Sequence, residues 1–371
     1  MKFFMLGAVL LGAALLGFVL YQTNLDEVWR HLHALGVSGI FLMLVIYTAA
    51  FVCEVLSWQL TLRSVPLTPR WLYRFWKVLM FGSALEKVTP FAGLGGEPIK
   101  ALVLKSRFGV PYGEGTASLV LTRMSDVIAL ILFITMGLCL ILSEDVLSVP
   151  FQIGAAAGLT LLVVNTAGFF VVQRYRAFSW LRAWLDRRFG ARIGARVGAL
   201  LDGINEVEDN LVNFYTGSPG RFVASIFVAF CQWMVGAIAA YAALDLLGHP
   251  VSFADAIVIE AVTLLVISTL FFVPGDLGTQ EVAIVTIVEG LTGSSDLGLA
   301  LAAIRRAHDL LWIAWGLAIG GSYSVRGLRA EARPALVAAG TGPEPEPVPL
   351  AGYSPAPSGA DSIVPREDRA R

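Results

Sequence analysis

What limits this chain most is a series of apolar runs, near 3–21, 39–60, 116–142, 150–172, 221–244 and 297–322. The hydrocarbon core of a bilayer takes roughly 20 apolar residues per helix, and each run is about that length or longer. Two further stretches, 78–106 and 255–292, are as apolar but are broken midway by proline and glycine. Composition removes the soluble alternative. Of the 371 residues, 56% are hydrophobic and 15% charged, whereas a soluble domain carries roughly a quarter charged residues. A soluble surface needs more polar cover than that. The expected fold is an all-α integral membrane protein with about six full spans and two broken helical hairpins.

The run from Phe3 to Tyr21 follows Lys2 as a signal-peptide core would. It is long for that role, and no small-x-small cleavage site follows in Gln22-Thr23-Asn24. It reads as the first span. Loop charges then set the orientation. Arg63, Arg70, Arg74 and Lys77 fall in 61–77 with no acid, and 173–221 holds eight arginines. Arg326, Arg329 and Arg333 follow the last span. These stretches are expected in the cytoplasm. The loops near 143–149 and 245–254 lack Lys and Arg and are expected outside, which puts both termini inside. The stretch 78–106 must then enter and leave from the cytoplasm, and 255–292 from the opposite side. Both read as re-entrant hairpins, inverted relative to one another.

The membrane domain is thus expected over 1–325, with a cytoplasmic amphipathic excursion at 173–220. There Ile193, Val197, Leu201, Ile204, Val207, Leu211 and Phe214 recur at helical spacing. The tail 326–371 is rich in Pro, Gly, Ala and acids, and is expected to be disordered. Cys53, Cys139 and Cys231 each sit in an apolar run, as small buried hydrophobes do. No metal-ligand spacing, P-loop or hydrolase motif is present. No metal or cofactor is therefore expected, and a net charge of −1 implies no nucleic-acid partner.

The two breaks resemble one another. One reads Pro90-Phe91-Ala92-Gly93-Leu94-Gly95-Gly96-Glu97, the other Pro274-Gly275-Asp276-Leu277-Gly278-Thr279-Gln280-Glu281. Each carries a Glu seven positions after the Pro, and each precedes a span with Arg-x-x-Asp: Arg123 with Asp126, and Arg306 with Asp309, Arg305 lying beside it. Glu97 to Arg123 is 26 positions and Glu281 to Arg306 is 25. Interrupted segments at matching places in two halves point to a transporter binding site.

The chemistry fits that reading. A charge at bilayer depth costs at least a few kcal/mol, so Arg123, Arg305 and Arg306 mark a site that uses them or a structural Arg–Asp pair. Residues three apart share a helix face, so Asp126 and Asp309 are expected to partner the arginines. Gly95, Gly96, Gly278 and Thr279 lie where a half-helix begins, with free N–H groups that attract anions. Arginine binds phosphate with a planar fork. Glu97 and Glu281 admit two roles: coupling or gating groups in the site, or caps of the half-helices. Glu54, Glu86, Lys87, Glu260, Lys100 and His308 carry less weight.

These motifs resemble the flippase-like transmembrane region of lysylphosphatidylglycerol synthases. The residues concerned are Gly95-Gly96-Glu97-Pro98-x-Lys100-Ala101, Pro274-Gly-x-Leu-Gly278-x-x-Glu281 and Arg306-x-x-Asp309-Leu310. The chain also resembles a branch of that family found with hopanoid biosynthesis. The resemblance implies translocation of a lipid between leaflets; with the arginines and half-helix N-termini above, an amphipathic lipid with an anionic headgroup is expected, in a bacterial inner membrane. In fused members a cytoplasmic domain attaches lysine to phosphatidylglycerol; only the tail follows residue 325 here, so lysyl transfer is not expected. Asp276 departs from the commoner Pro-Gly-Gly-Leu-Gly form and sets an acid beside the anion site. Two other readings stand: a membrane-embedded enzyme that modifies a lipid headgroup, with Glu97 or Glu281 as general base, and a non-catalytic scaffold partnering lipid-biosynthesis enzymes.

Overall fold

A computed structural model describes residues 25–88, 96–144, 153–154, 156–160, 163–164, 214, 217–269 and 278–340. The expected first span at 3–21, most of 150–172, nearly all of the excursion at 173–220, and the breaks at 89–95 and 270–277 lie outside the described residues. Among the described residues the chain is helical, with no strand.

Helix α1 runs Leu25–Thr61 and bends at Gly36, whose φ of 66° is left-handed and costs glycine little. Beyond the bend, Leu35–Thr61 is long and apolar enough to cross a membrane. So are Tyr112–Leu142, within α4 (Tyr112–Glu144), and α5 (Pro219–Leu246). Between α1 and α4 lie α2 (Pro69–Val88) and α3 (Glu97–Phe108). After α5 come α6 (Phe253–Thr269), α7 (Thr279–Thr292) and α8 (Ser295–Gly340). The chain divides into the units Met1–Val325 and Arg326–Arg371; the sites below belong to the first.

Two stretches share one order of described elements: a short helix, α3 or α7, then a glycine, then a long helix, α4 or α8. Helix α3 has 12 residues and α7 has 14, so at 1.5 Å per residue they reach about 18 and 21 Å. Neither crosses a 30-Å core alone. Gly109 ends α3 with φ 74°, ψ 11°, and Gly293 ends α7 with φ 74°, ψ 8°. Both adopt the left-handed cap that glycine favours, and each cap N–H returns to a carbonyl of the last turn.

Helix α2 begins earlier than the apolar pattern indicates. Arg70, Arg74 and Lys77, expected in a loop, sit on α2. Pro69 is preset for a first helical position, and Phe75, Val78 and Leu79 recur three and four apart and are buried. The cations lie along aromatic rings: Arg74 is 4.5 Å from Trp71 and 5.4 Å from Phe108, and Lys77 is 4.4 Å from Tyr73. Such stacking lets a charged residue occupy an otherwise apolar helix.

Two cores hold the hairpins. Trp58, Phe75, Phe81 and Leu104 pack around the first, and Leu244, Ile259, Ile284 and Val288 around the second. Helix α8 serves both, giving Trp312 and Leu317 to one and Leu301 and Ile304 to the other. Gly316 and Gly320 lie one turn apart on α8 against Met80 and Phe81 of α2. A Cβ at either would overlap those atoms, so the small-xxx-small pair sets how closely the helices approach. Helix α5 lies most extensively along α1. Ser57 and Ser225 meet there, hydroxyl oxygens 2.9 Å apart and each within reach of the other residue's carbonyl at 3.1–3.2 Å, so the two O–H groups share these acceptors.

Candidate functional site

A cavity of about 640 Å³ is lined by residues from all eight helices, α1 to α8. All the described helices except the terminal part of the chain contribute to it or pack beside it, and α8 supplies its most regular wall. On α8, positions 305, 308, 309 and 312 are three or four apart and share a face. Accordingly Arg305, His308, Asp309 and Trp312 all line the cavity. Arg306, about 100° further round the helix, faces elsewhere.

That rotation decides the fate of the two neighbouring arginines. One guanidinium nitrogen of Arg305 donates to both oxygens of Glu260, at 2.6 and 2.5 Å. Arg306 is 6% exposed and is not part of the lining. Its Nε donates to Glu281 at 2.7 Å, and its terminal nitrogen bonds the same oxygen. The other oxygen of Glu281 accepts the Gly278 N–H at 2.9 Å. Glu281 is therefore a cap of α7 and an ion-pair partner at once, the two roles falling on its two oxygens. Gly278 is the N-cap, at φ 81°, and Thr279 begins α7.

The expected Arg306–Asp309 partnership is replaced. Asp309 accepts Lys87 Nζ from the end of α2 at 2.6 Å, and His308 Nδ1 lies 3.5 Å from the same carboxylate oxygen. Partners on other helices outcompete the local one because Arg306 is rotated onto α7. His308 is also stacked on Tyr47, ring centres 3.9 Å apart, and packed on Trp312 at 4.3 Å.

The first half is a network. Arg123 lines the cavity, donates to Glu86 at 3.1 Å, and approaches Asp126 at 3.8 Å. Lys100 is 3% exposed. Its Nζ donates to Glu86 at 3.3 Å and Glu97 at 3.0 Å. Gly96, the N-cap of α3, lies directly on the Gly82 carbonyl. Close approach of α2 and α3 accounts for the glycine without a ligand. Gly95 lies outside the described residues.

So Arg123, Arg305, Asp126, Asp309 and Glu97 meet in one cavity, while Arg306, paired with Glu281, and Gly96 lie outside its lining. Sequence reasoning underweighted Glu54, Glu86, Lys87, Lys100 and Glu260, all of which line the wall. The signal was present: each is a charge inside or at the edge of an apolar run, where charges are costly.

The charge balance of the wall is uneven. Its carboxylates are Glu54, Glu86, Glu97, Asp126, Glu260 and Asp309. Its Lys and Arg residues are Lys87, Lys100, Arg123 and Arg305. Among the described residues acids thus exceed these cations by two. Apolar and aromatic side chains, including Phe51, Trp58, Leu264 and Ile267, fill the rest. The arrangement suits an amphipathic ligand whose polar end carries positive charge and whose tails lie along apolar walls.

Comparisons with curated proteins and with solved structures find no match. A family model does match: that of the lysylphosphatidylglycerol synthase TM region fits residues 5–316. The chain is a membrane protein belonging to the family of lysylphosphatidylglycerol synthase transmembrane regions.

Proposed function

We propose that the protein is a stand-alone lipid flippase of a bacterial inner membrane. Both termini are cytoplasmic, about six spans surround two re-entrant hairpins, and the hairpins form an inverted repeat. The headgroup sits in the cavity, the tails stay in the bilayer through a lateral opening, and the halves rock to alternate access. One observation carries the reading: a polar cavity in a membrane domain, walled by charged residues from α1 to α4, from α6 and from α8. Membership of a lipid-related membrane family supports it.

The surplus of two acids refines the ligand. A net-anionic headgroup would add to an already negative wall, so the headgroup carries an ammonium or another cation. Any phosphate on it meets Arg305, Arg123 or Lys87, which stay charged and donate several hydrogen bonds. The protein acts as a transporter and not as an enzyme, and partners of lipid synthesis deliver or receive the lipid.

Reconstitution tests this. Vesicles of phosphatidylethanolamine and phosphatidylglycerol carry a trace of phosphatidylethanolamine labelled on an acyl chain, and dithionite quenches the outer leaflet. The protein speeds leaflet exchange over empty vesicles, and Arg305→Ala abolishes the gain. Equal rates for wild type and Arg305→Ala count against transport through this cavity. A changed headgroup mass after incubation favours the enzyme reading instead.

A further inference from the structure

Resting on the transport reading above, we propose that Glu54 is a proton-carrying site, and that a positively charged headgroup entering the cavity displaces its proton. Glu54 is the single charged residue of the span Leu35–Thr61 and lines the cavity. A carboxylate within a span is costly unless something balances it.

The surroundings supply no balance. The charged groups facing Glu54 are Lys100 on α3, Asp126 and Arg123 on α4, and Glu86 on α2. Lys100 is held by Glu86 and Glu97, and Arg123 by Glu86 and Asp126. Two cations thus already serve three other carboxylates. Among the described residues no ion pair or side-chain hydrogen bond reaches Glu54. Helix α5 brings Ala229, Gln232, Trp233 and Gly236 to the wall, none of them charged. The charges on α6 and α8 are committed to others, Glu260 to Arg305 and Asp309 to Lys87.

A second observation points to a ligand in the same cavity. Gln280 lines it and is 6% exposed, yet among the described residues its Nε2 has no hydrogen-bond partner. A buried donor without an acceptor is costly, and a polar headgroup oxygen would supply one. Among the described residues the cavity therefore offers Glu54 no uncommitted positive charge and Gln280 no acceptor.

The exchange balances simply. With the cavity empty, Glu54 holds its proton as a neutral carboxyl. When an ammonium enters, the Glu54 O–H bond breaks, the proton leaves to water in the open cavity, and the carboxylate faces the cation. On release the carboxylate takes a proton back from whichever side the cavity then faces. Proton and lipid move in opposite directions. Linkage requires that each lowers the other's occupancy by the same factor.

The experiment uses the full chain in the vesicles described above, with the acyl-labelled phosphatidylethanolamine and a pH gradient of either sign. For one proton per lipid, a gradient of about one pH unit shifts the final leaflet ratio by up to about tenfold, in opposite senses for the two signs. Glu54→Gln abolishes that shift, and Glu54→Asp, which keeps a carboxyl, retains it. A wild type indifferent to the gradient, or a Glu54→Gln variant that responds as wild type does, overturns the proposal. Infrared spectra in an ester-free detergent at neutral pH read the proton directly. The carbonyl stretch of a protonated carboxyl is present in wild type and absent from Glu54→Gln; identical spectra overturn the proposal. Should no label move above empty vesicles, the transport reading fails, and the infrared band still decides the proton site.

Discussion

Lys87 and Asp309 are joined by a 2.6-Å ion pair across the cavity, although 222 positions separate them in the chain. Lys87 lies in the last turn of α2, and Asp309 stands on the long helix α8. Adjacent Glu86 turns instead to Arg123 and Lys100. The last turn before the first break therefore holds both walls of the cavity through two neighbouring residues of opposite charge.

Breaking this pair from either side is expected to slow leaflet exchange. Lys87→Met leaves Asp309, 9% exposed, without its closest cation. Because Lys87 is 41% exposed, water screens part of the loss, and the stability cost is about 1–2 kcal/mol. The exchanged pair Lys87→Asp with Asp309→Lys recovers more stability and rate than either single change. Thermal unfolding in detergent and the vesicle assay measure both; a double variant no better than the singles excludes a direct interaction.

Glu281 separates capping from charge pairing. Glu281→Gln keeps an oxygen for the Gly278 N–H but leaves Arg306 facing a neutral group. Glu281→Ala loses both contacts. Unfolding is expected in the order wild type, Gln, Ala, with the last step about 1 kcal/mol for the lost cap. Retained exchange activity per folded molecule in Glu281→Gln places this residue in the scaffold, and selective loss of activity with full stability contradicts that placement.

Gly316→Leu and Gly320→Leu are expected to force α8 away from α2. The Met80 carbonyl and the Phe81 ring occupy the space a side chain needs, and overpacking of this kind costs about 1–3 kcal/mol. Gly321→Leu, where no atom lies near the Cβ position, is the control. Size-exclusion profiles and melting curves compare the three, and equal behaviour removes the close-contact argument.

Ser57→Ala and Ser225→Ala each remove a hydroxyl from the α1–α5 crossing. Each is expected to cost roughly 0.6 kcal/mol, the usual worth of a polar contact within a membrane. The double variant is expected to lose less than the sum, because one removal already breaks the shared bonds. A strictly additive pair shows that the two hydroxyls do not act together.

The repeated Pro-Gly-Glu pattern placed the starts of α3 and α7 within a residue, because proline, glycine and an early Glu act locally on the backbone. The apolar runs found Leu35–Thr61, Tyr112–Leu142 and Pro219–Leu246 for a similar reason: hydrocarbon length is a property of a contiguous segment. The start of α2 was misplaced, since its arginines are accommodated by rings brought in partly from Phe108, on another helix.

By itself, then, the sequence determined that this chain lies in a membrane, where its helices break, and which residues are too costly there to be idle. Tertiary structure alone decided which charges meet. A rotation of about 100° between consecutive positions turns Arg305 into the cavity and Arg306 onto Glu281. Helix packing brings Lys87 to Asp309, and the resulting surplus of acid on one wall is a sum over separate helices. Charge partners in a low-dielectric medium are fixed by distance in space, and no local pattern along the chain encodes that distance.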